Sequence, residues 1–356
     1  MRSMSTAVPG IHHAQVSRFF RDHVPGGDCD LSFDLISGGR SNLTYLVRGG
    51  AHEWVLRRPP LGHVLPTAHD MTREYRVLSA LAGTDVPAPR TIALCEDPGV
   101  NDMPFYVMQY CPGVVLAQNI PPGYAPTPED RRRICLALVE TLVGLHAVDY
   151  RAVGLDGFGK PEGYLERQVR RWSEQWQRSL TSELAEIDEL IRRLRAALPE
   201  SPAPTIVHGD YRLGNMALDR NDPGRVAAIF DWEMATLGDP LADLGYTLIY
   251  WTEAGDPLPA GGIGTTSAFT ASPGFFTRAE IIAAYAERSG RSVEAIDFYQ
   301  VLALYKLAVI SEGIYARYLQ GKTLGDGFEG MTRSAGGLAQ RALAIADASR
   351  DRRLRA

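Results

Sequence analysis

The sequence predicts an α+β chain in two lobes, a small β-rich one at the front and a large, mainly helical one behind it. Three observations point that way. Short runs of β-branched and aromatic residues flank a glycine pair near the start. A Pro-Gly break at 112–113 closes the last of those runs, and apolar residues then recur at helical spacing over long stretches. At 356 residues, the chain also exceeds the size at which one hydrophobic core usually divides.

The front elements follow in order. Phe33-Asp34-Leu35-Ile36 and Leu43-Thr44-Tyr45-Leu46-Val47 alternate as strands around Ser37-Gly38-Gly39-Arg40-Ser41-Asn42. Consecutive glycines let backbone N–H groups approach an anion closely, and Ser41 and Asn42 add short polar donors. An ordinary hairpin loop has the same composition. Trp54-Val55-Leu56-Arg57 forms a third strand; Arg58 points the other way and reads as a solvated charge. Residues 71–81 form a helix, with Tyr75, Leu78 and Leu81 spaced at three and Glu74 beside them. Pro104-Phe105-Tyr106-Val107-Met108-Gln109-Tyr110-Cys111-Pro112-Gly113 is a strand running into the break.

Behind the break, residues 129–146 place Ile134, Leu138, Leu142 and Leu145 on one stripe, and His146 reads as a structural helix-end cation. Residues 162–198 form one or two helices, interrupted near Thr181-Ser182, and 301–319 and 338–346 complete the helical set. The stretch 255–274, rich in Gly, Pro and Thr, reads as a loop, either over the acceptor site or inert.

The most informative segment lies between these helices. Thr205-Ile206-Val207 is a short strand entering His208-Gly209-Asp210, with Asn215 five positions beyond Asp210. Met216-Ala217-Leu218 and Val226-Ala227-Ala228-Ile229-Phe230 are strands joined by the turn Asn221-Asp222-Pro223-Gly224. Such a hairpin folds its ends together, so Asn215 before it and Asp231 after it should converge as two hard oxygen donors suited to Mg²⁺. Asp210 is then the candidate base for an attacking hydroxyl, in a centre for phosphoryl transfer. Taken singly, these residues are also consistent with a polar turn and a surface carboxylate.

His208-Gly209-Asp210 with Asn215, followed by Asp231-Trp232-Glu233, resembles the catalytic and metal motifs of the aminoglycoside phosphotransferase and choline kinase group, within the protein-kinase-like fold. The match extends to Gly238-Asp239-Pro240-Leu241-Ala242-Asp243-Leu244, which implies that Asp243, with His208, braces the catalytic loop. The resemblance implies lobes at 1–108 (a five-stranded antiparallel sheet plus a helix) and 114–356, with a hinge at 109–113. It implies that Gly38, Gly39, Ser41 and Asn42 cover the nucleotide phosphates and that Glu74 reaches Arg57, the phosphate-pairing cation. Many members have Lys there, and Arg differs in its forked geometry. Adenine is expected against backbone groups of Gln109 and Cys111, with Met108 at the rear of the pocket. The implied cofactors are ATP, with GTP an open alternative, and Mg²⁺.

Gly38-Gly39-Arg40-Ser41-Asn42-Leu43-Thr44-Tyr45-Leu46, Val55-Leu56-Arg57-Arg58-Pro59-Pro60 and Gly163-Tyr164-Leu165-Glu166-Arg167-Gln168-Val169-Arg170-Arg171-Trp172 resemble one branch in particular. Its members are kinase-like domains that stand alone in bacteria or precede acyl-CoA dehydrogenase domains. For the fused forms the resemblance implies hydroxylated acyl-CoA acceptors. Residues 151–200 hold nine Lys/Arg and nine Asp/Glu, which does not favour a polycationic aminoglycoside. Arg167, Arg171, Trp172 and Glu233 are the candidate acceptor-site residues, although Trp172 and Trp176 also suit a core with solvated arginines.

Apolar residues at 45%, charged residues at 22% and a net charge of −5 give no reason to expect nucleic acid or an anionic membrane as partner. Cys29, Cys95, Cys111 and Cys135 lack zinc spacing and suit a reducing compartment, and Met1 to Gly10 shows no apolar signal core. A cytoplasmic monomer or homodimer acting on a small hydroxyl compound is expected. Gly321-Lys322-Thr323 lacks the glycine that a P-loop requires, and Gly261-Gly262-Ile263-Gly264 lacks the last glycine of a dinucleotide fingerprint. The competing readings are an aminoglycoside 3′-phosphotransferase, a catalytically inactive nucleotide-binding module, and a metal-dependent phosphohydrolase.

Overall fold

The computed structural model describes residues 8–37, 42–61, 70–256, 268–321 and 331–356. The chain divides into two compact units. One runs to Pro112 and includes Ala228–Glu233; the other comprises Gly113–Ala227 and Met234 onward.

The first unit is a five-stranded antiparallel sheet with helices. In chain order it contains α1 (His13–His23), β1 (Leu31–Ser37), β2 (Leu43–Gly49), β3 (His52–Arg58), α2 (Met71–Leu81), β4 (Thr91–Cys95), α3 (Pro98–Asn101) and β5 (Phe105–Gln109). The strand order is β1-β2-β3-β5-β4. Phe20 of α1 meets Phe33 and Trp54 edge-on, and Phe19 meets Phe105, so α1 seals the sheet's apolar face. α2 begins where the Asp70 side chain accepts from the Arg73 amide, and it buries Met71, Val77, Leu78 and Leu81. The segment 228–233 joins this unit through the Ile229 amide, which donates to the Pro87 carbonyl at 2.7 Å.

The second unit holds α4 (Pro128–Ala147), α5 (Tyr164–Ser179), α6 (Ala185–Ala196), β6 (Thr205–Val207), β7 (Met216–Leu218), β8 (Val226–Ile229, crossing the unit boundary), β9 (Thr236–Gly238), α7 (Leu241–Ile249), α8 (Arg278–Ser289), α9 (Ile296–Leu319), α10 (Met331–Ala348) and α11 (Arg352–Arg355). β6 pairs with β9, and β7 with β8. Thr127 and Asp130 close a reciprocal cap on α4, with Pro128 in the first turn. The α5–α6 break falls where expected, and there the Thr181 amide and hydroxyl donate to the buried Glu312 carboxylate of α9. α9 is buried along most of its length. Among the described residues no helix is long and apolar enough to cross a membrane.

The sequence pattern does not locate α1, β4, α3, β9, α7, α8 or α11. α7 is buried nearly throughout, so it shows no polar face to mark its period. β9 is only three residues long. Arg58 is a correction: it is 3% exposed, and its guanidinium donates to the carbonyls of Gly10 and Pro59. Packing of the segment before α1 against β3 turns an expected solvent charge into a buried anchor for backbone oxygens.

Candidate functional site

In the first unit, Arg57 projects from β3 and is almost fully buried. Its Nε lies 3.1 Å from Oε2 of Glu74 on α2, its Nη2 donates to Asp231 Oδ1, and the same nitrogen is 3.8 Å from Glu233 Oε2. Burial disfavours the charged guanidinium, but Glu74, Tyr106 and Asp231 outweigh it and push its pKa up. Burial, with smaller contributions from Asp231 and Glu233, pushes the Glu74 carboxyl up to about 7 against the pull of Arg57. Asp231 adopts φ 66, a left-handed conformation that Asp tolerates better than most residues. Asn42, at the foot of β2, donates through Nδ2 to Glu233 Oε2 at 3.0 Å. Glu233, a candidate for the acceptor site, therefore sits with the residues assigned to the nucleotide.

Gly38, Gly39 and Ser41 lie outside the described residues. Met108 is buried on β5. The Gln109 amide donates to the Arg90 carbonyl at 2.8 Å, and the Gln109 carbonyl accepts from the Cys111 thiol at 3.9 Å. Cys111 is half-buried, and burial raises its thiol pKa.

In the second unit, β6 delivers the chain to His208-Gly209-Asp210. The buried Asp243 of α7 holds that turn, with Oδ2 accepting from the His208 amide and Oδ1 from the Gly209 amide, each at 2.7 Å. His146 Nε2 lies 3.3 Å from the same carboxylate, and its Nδ1 is 2.8 Å from the Tyr285 hydroxyl. Burial alone would raise Asp243, but His146, His208 and the Gly209 amide hold it below the usual carboxylate range. Gly209 has φ 85, and a Cβ there would come within 2.8 Å of Met234, so only glycine fits.

Asp210 is fixed from both sides. Oδ2 accepts from Asn215 Nδ2 at 2.6 Å, and Oδ1 from Arg212 Nε at 3.1 Å. The Arg212 guanidinium lies 5.1 Å over the Tyr250 ring and lines a cavity with Tyr250, Trp251, Phe269 and Thr270. Lys306 of α9 donates to the Gly209 carbonyl. Arg167 is committed to the carbonyls of Lys160 and Glu162, Arg171 is exposed, Trp176 is core, and Trp172 is half-buried with its indole N–H on Gln168.

The predicted residues are thus gathered in two groups: Arg57, Glu74, Asp231 and Glu233 with Asn42, and Asp210 and Asn215 with His208 and Asp243. Sequence reasoning missed Arg212, Lys306 and the bracing role of His146. Arg212 stands two positions after Asp210, and Lys306 is the only charge in the apolar run 301–310, so both carried a signal.

An antiparallel sheet bearing a buried Arg–Glu pair, and a helical unit bearing a braced Asp–Asn loop, define a protein-kinase-like phosphotransferase. The chain belongs to the phosphotransferase enzyme family, whose model matches residues 32–279. It is 36% identical over 294 residues to mouse acyl-CoA dehydrogenase family member 10, an alignment covering 82% of this chain and 27% of that protein. The chain therefore spans about a quarter of that relative's length. A candidate aminoglycoside phosphotransferase of Ralstonia eutropha JMP134 superposes with a TM-score of 0.80 at 33% identity, covering 95% of this chain and 99% of that one. A thermostable aminoglycoside phosphotransferase variant solved with AMP-PNP and hygromycin B shares the fold, with a TM-score of 0.61 at 15% identity, covering 93% of this chain and 98% of the other.

Proposed function

We propose that this chain is an ATP- and Mg²⁺-dependent O-phosphotransferase that moves the γ-phosphoryl group to a hydroxyl of a small molecule. One observation supports this above the others: Asp210 is held by Asn215 and Arg212 on a loop whose backbone is clamped by Asp243. Asp210 accepts the proton of the acceptor hydroxyl as that oxygen bonds to the γ-phosphorus and ADP departs. Arg57, held by Glu74, binds nucleotide phosphate. The ATP-analogue complex of the structural neighbour supports ATP as donor.

The donors suit magnesium. Asn215 spends its Nδ2 on the Asp210 carboxylate and carbonyl, leaving its amide oxygen as a hard ligand, and Asp231 is a partly exposed carboxylate. Asn215 and Asp231 are the proposed ligands, and the ion supplies positive charge to the phosphates.

For the acceptor we favour an anionic or neutral hydroxyl compound of the hydroxyacyl-CoA kind. The cations Arg212 and Lys306 near Asp210 support it, as does the kinship with proteins named for acyl-CoA dehydrogenase. A cationic aminoglycoside would meet repulsion there. The test is ADP release with 4-hydroxyacyl-CoA and with kanamycin-type acceptors, using ATP and GTP in parallel. Turnover on the former is expected; turnover on aminoglycosides alone overturns this acceptor. Phosphate release from a phosphoester without nucleotide would indicate a hydrolase instead.

A further inference from the structure

Lys306 bears on the choice of acceptor through its charge, but the transfer step as described gives it no part. It interrupts the apolar run of α9, and its Nζ donates to the Gly209 carbonyl at 3.0 Å. Two aromatic faces enclose it, with ring centres 4.7 Å away at Tyr246 and 5.8 Å away at Trp172. The charged groups facing it are Asp210 on the loop, Asp243 on α7 and Arg171 on α5; the two carboxylates favour its ammonium form, while burial and Arg171 oppose it. A neutral donor would satisfy one carbonyl without the desolvation cost of an ammonium. What a neutral donor would lack is charge. The Gly209 residue is held by an anion on its amide, Asp243, and by a cation on its carbonyl, Lys306. That opposed pair holds the two peptides flanking Gly209, with Lys306 on the second, the one that leads into Asp210.

We propose that Lys306 is a positioning residue for phosphoryl transfer, whose positive charge holds the Gly209–Asp210 peptide and keeps the Asp210 carboxylate directed at the acceptor hydroxyl. This rests on Asp210 being the base. Lys306→Met, close in shape but uncharged, should lower kcat roughly 10- to 100-fold while leaving the nucleotide KM within about twofold, because a displaced base costs rate and not nucleotide affinity. Amide hydrogen exchange at 208–210 should accelerate. Lys306→Arg should recover most of the rate, and Lys306→Ala should regain activity when propylammonium is added. A wild-type kcat in Lys306→Met overturns the proposal. So does a loss that neither arginine nor propylammonium repairs, since a space-filling role would give that result. If Lys306→Met does not fold, the Lys306→Ala rescue decides alone. Asp210→Asn is the control: full activity there defeats the base assignment, whereas an inactive Asp210→Asn beside an unimpaired Lys306→Met defeats only the role of Lys306.

Discussion

The two clusters have opposite electrostatic characters. Around Arg57, among the described residues, three carboxylates face one guanidinium. Around Asp210 the proportions reverse, with Arg212 bonded to the carboxylate and Lys306 electrostatically coupled to it. The anchoring differs too. The Arg57 cluster is held by side chains on side chains, whereas the Asp210 loop is held by side chains on backbone amides and a carbonyl. Side-chain pairs exchange partners readily when a charged ligand arrives; a clamped backbone does not. On the proposed function, the first cluster would receive the nucleotide phosphates and the second would keep the proposed base still.

The largest effect should come from Asp210, the proposed base. Asp210→Asn keeps the Asn215 contact sterically but removes the proton acceptor, and should lower kcat roughly 10²- to 10⁴-fold with little change in melting temperature. A stopped assay of ADP release measures it. Next is the clamp. Asp243→Ala strips a buried carboxylate from two amides and His146, leaving donors unsatisfied, and should destabilise the protein by about 3–5 kcal/mol. Urea melts measure that loss. A small change there would mean that water replaces the carboxylate and that the clamp is weaker than the contrast implies.

The sequence reveals the second cluster better than the first. Asp210 and Asn215 lie within a short stretch whose strands and turns announce themselves, whereas Asp243, on α7, is named only through the family resemblance. His146 was legible as a helix-end residue only, because its partner Asp243 stands 97 positions away and helix periodicity reports nothing of that pairing. Glu233 shows the same limit. Beside Asp231 in sequence, it suggested an acceptor contact, while packing of 228–233 onto the sheet unit brings it to Asn42, 191 positions distant. Arg58 failed for a related reason: strand alternation gives the side of the sheet but not whether another segment covers that side. The fold class survived these misses because periodicity and turn chemistry are local properties.

A third test concerns the Glu74 carboxyl of the first cluster. The Glu74 carboxyl sits at about 7 in the folded protein against an ordinary 4.5. Between those values the native state binds a proton that the unfolded chain has lost, so stability should fall as pH rises through this window and level off above it. The size is on the order of 3 kcal/mol. Glu74→Gln should flatten that part of the profile in nucleotide-free protein, followed by urea melts from pH 4 to 8 (about the span of both pKa values). An unchanged slope would show that Glu74 stays ionised throughout and that Arg57 neutralises it fully.

The smallest effect separates the two ways a cation can serve the first cluster. Arg57 reaches Glu74 through Nε and Asp231 through Nη2, using two edges of one planar group. A lysine has a single nitrogen on a flexible stem and must favour one carboxylate. If Arg57 only binds phosphate and is steadied by Glu74, Arg57→Lys should raise the nucleotide KM about 3- to 10-fold and leave kcat within about threefold, since the charge survives and only the fork is lost. Steady-state kinetics at saturating acceptor distinguish the two parameters. A kcat collapse with KM unchanged would place the guanidinium in the transition state, and the division between a cluster that receives nucleotide and one that performs chemistry would no longer stand.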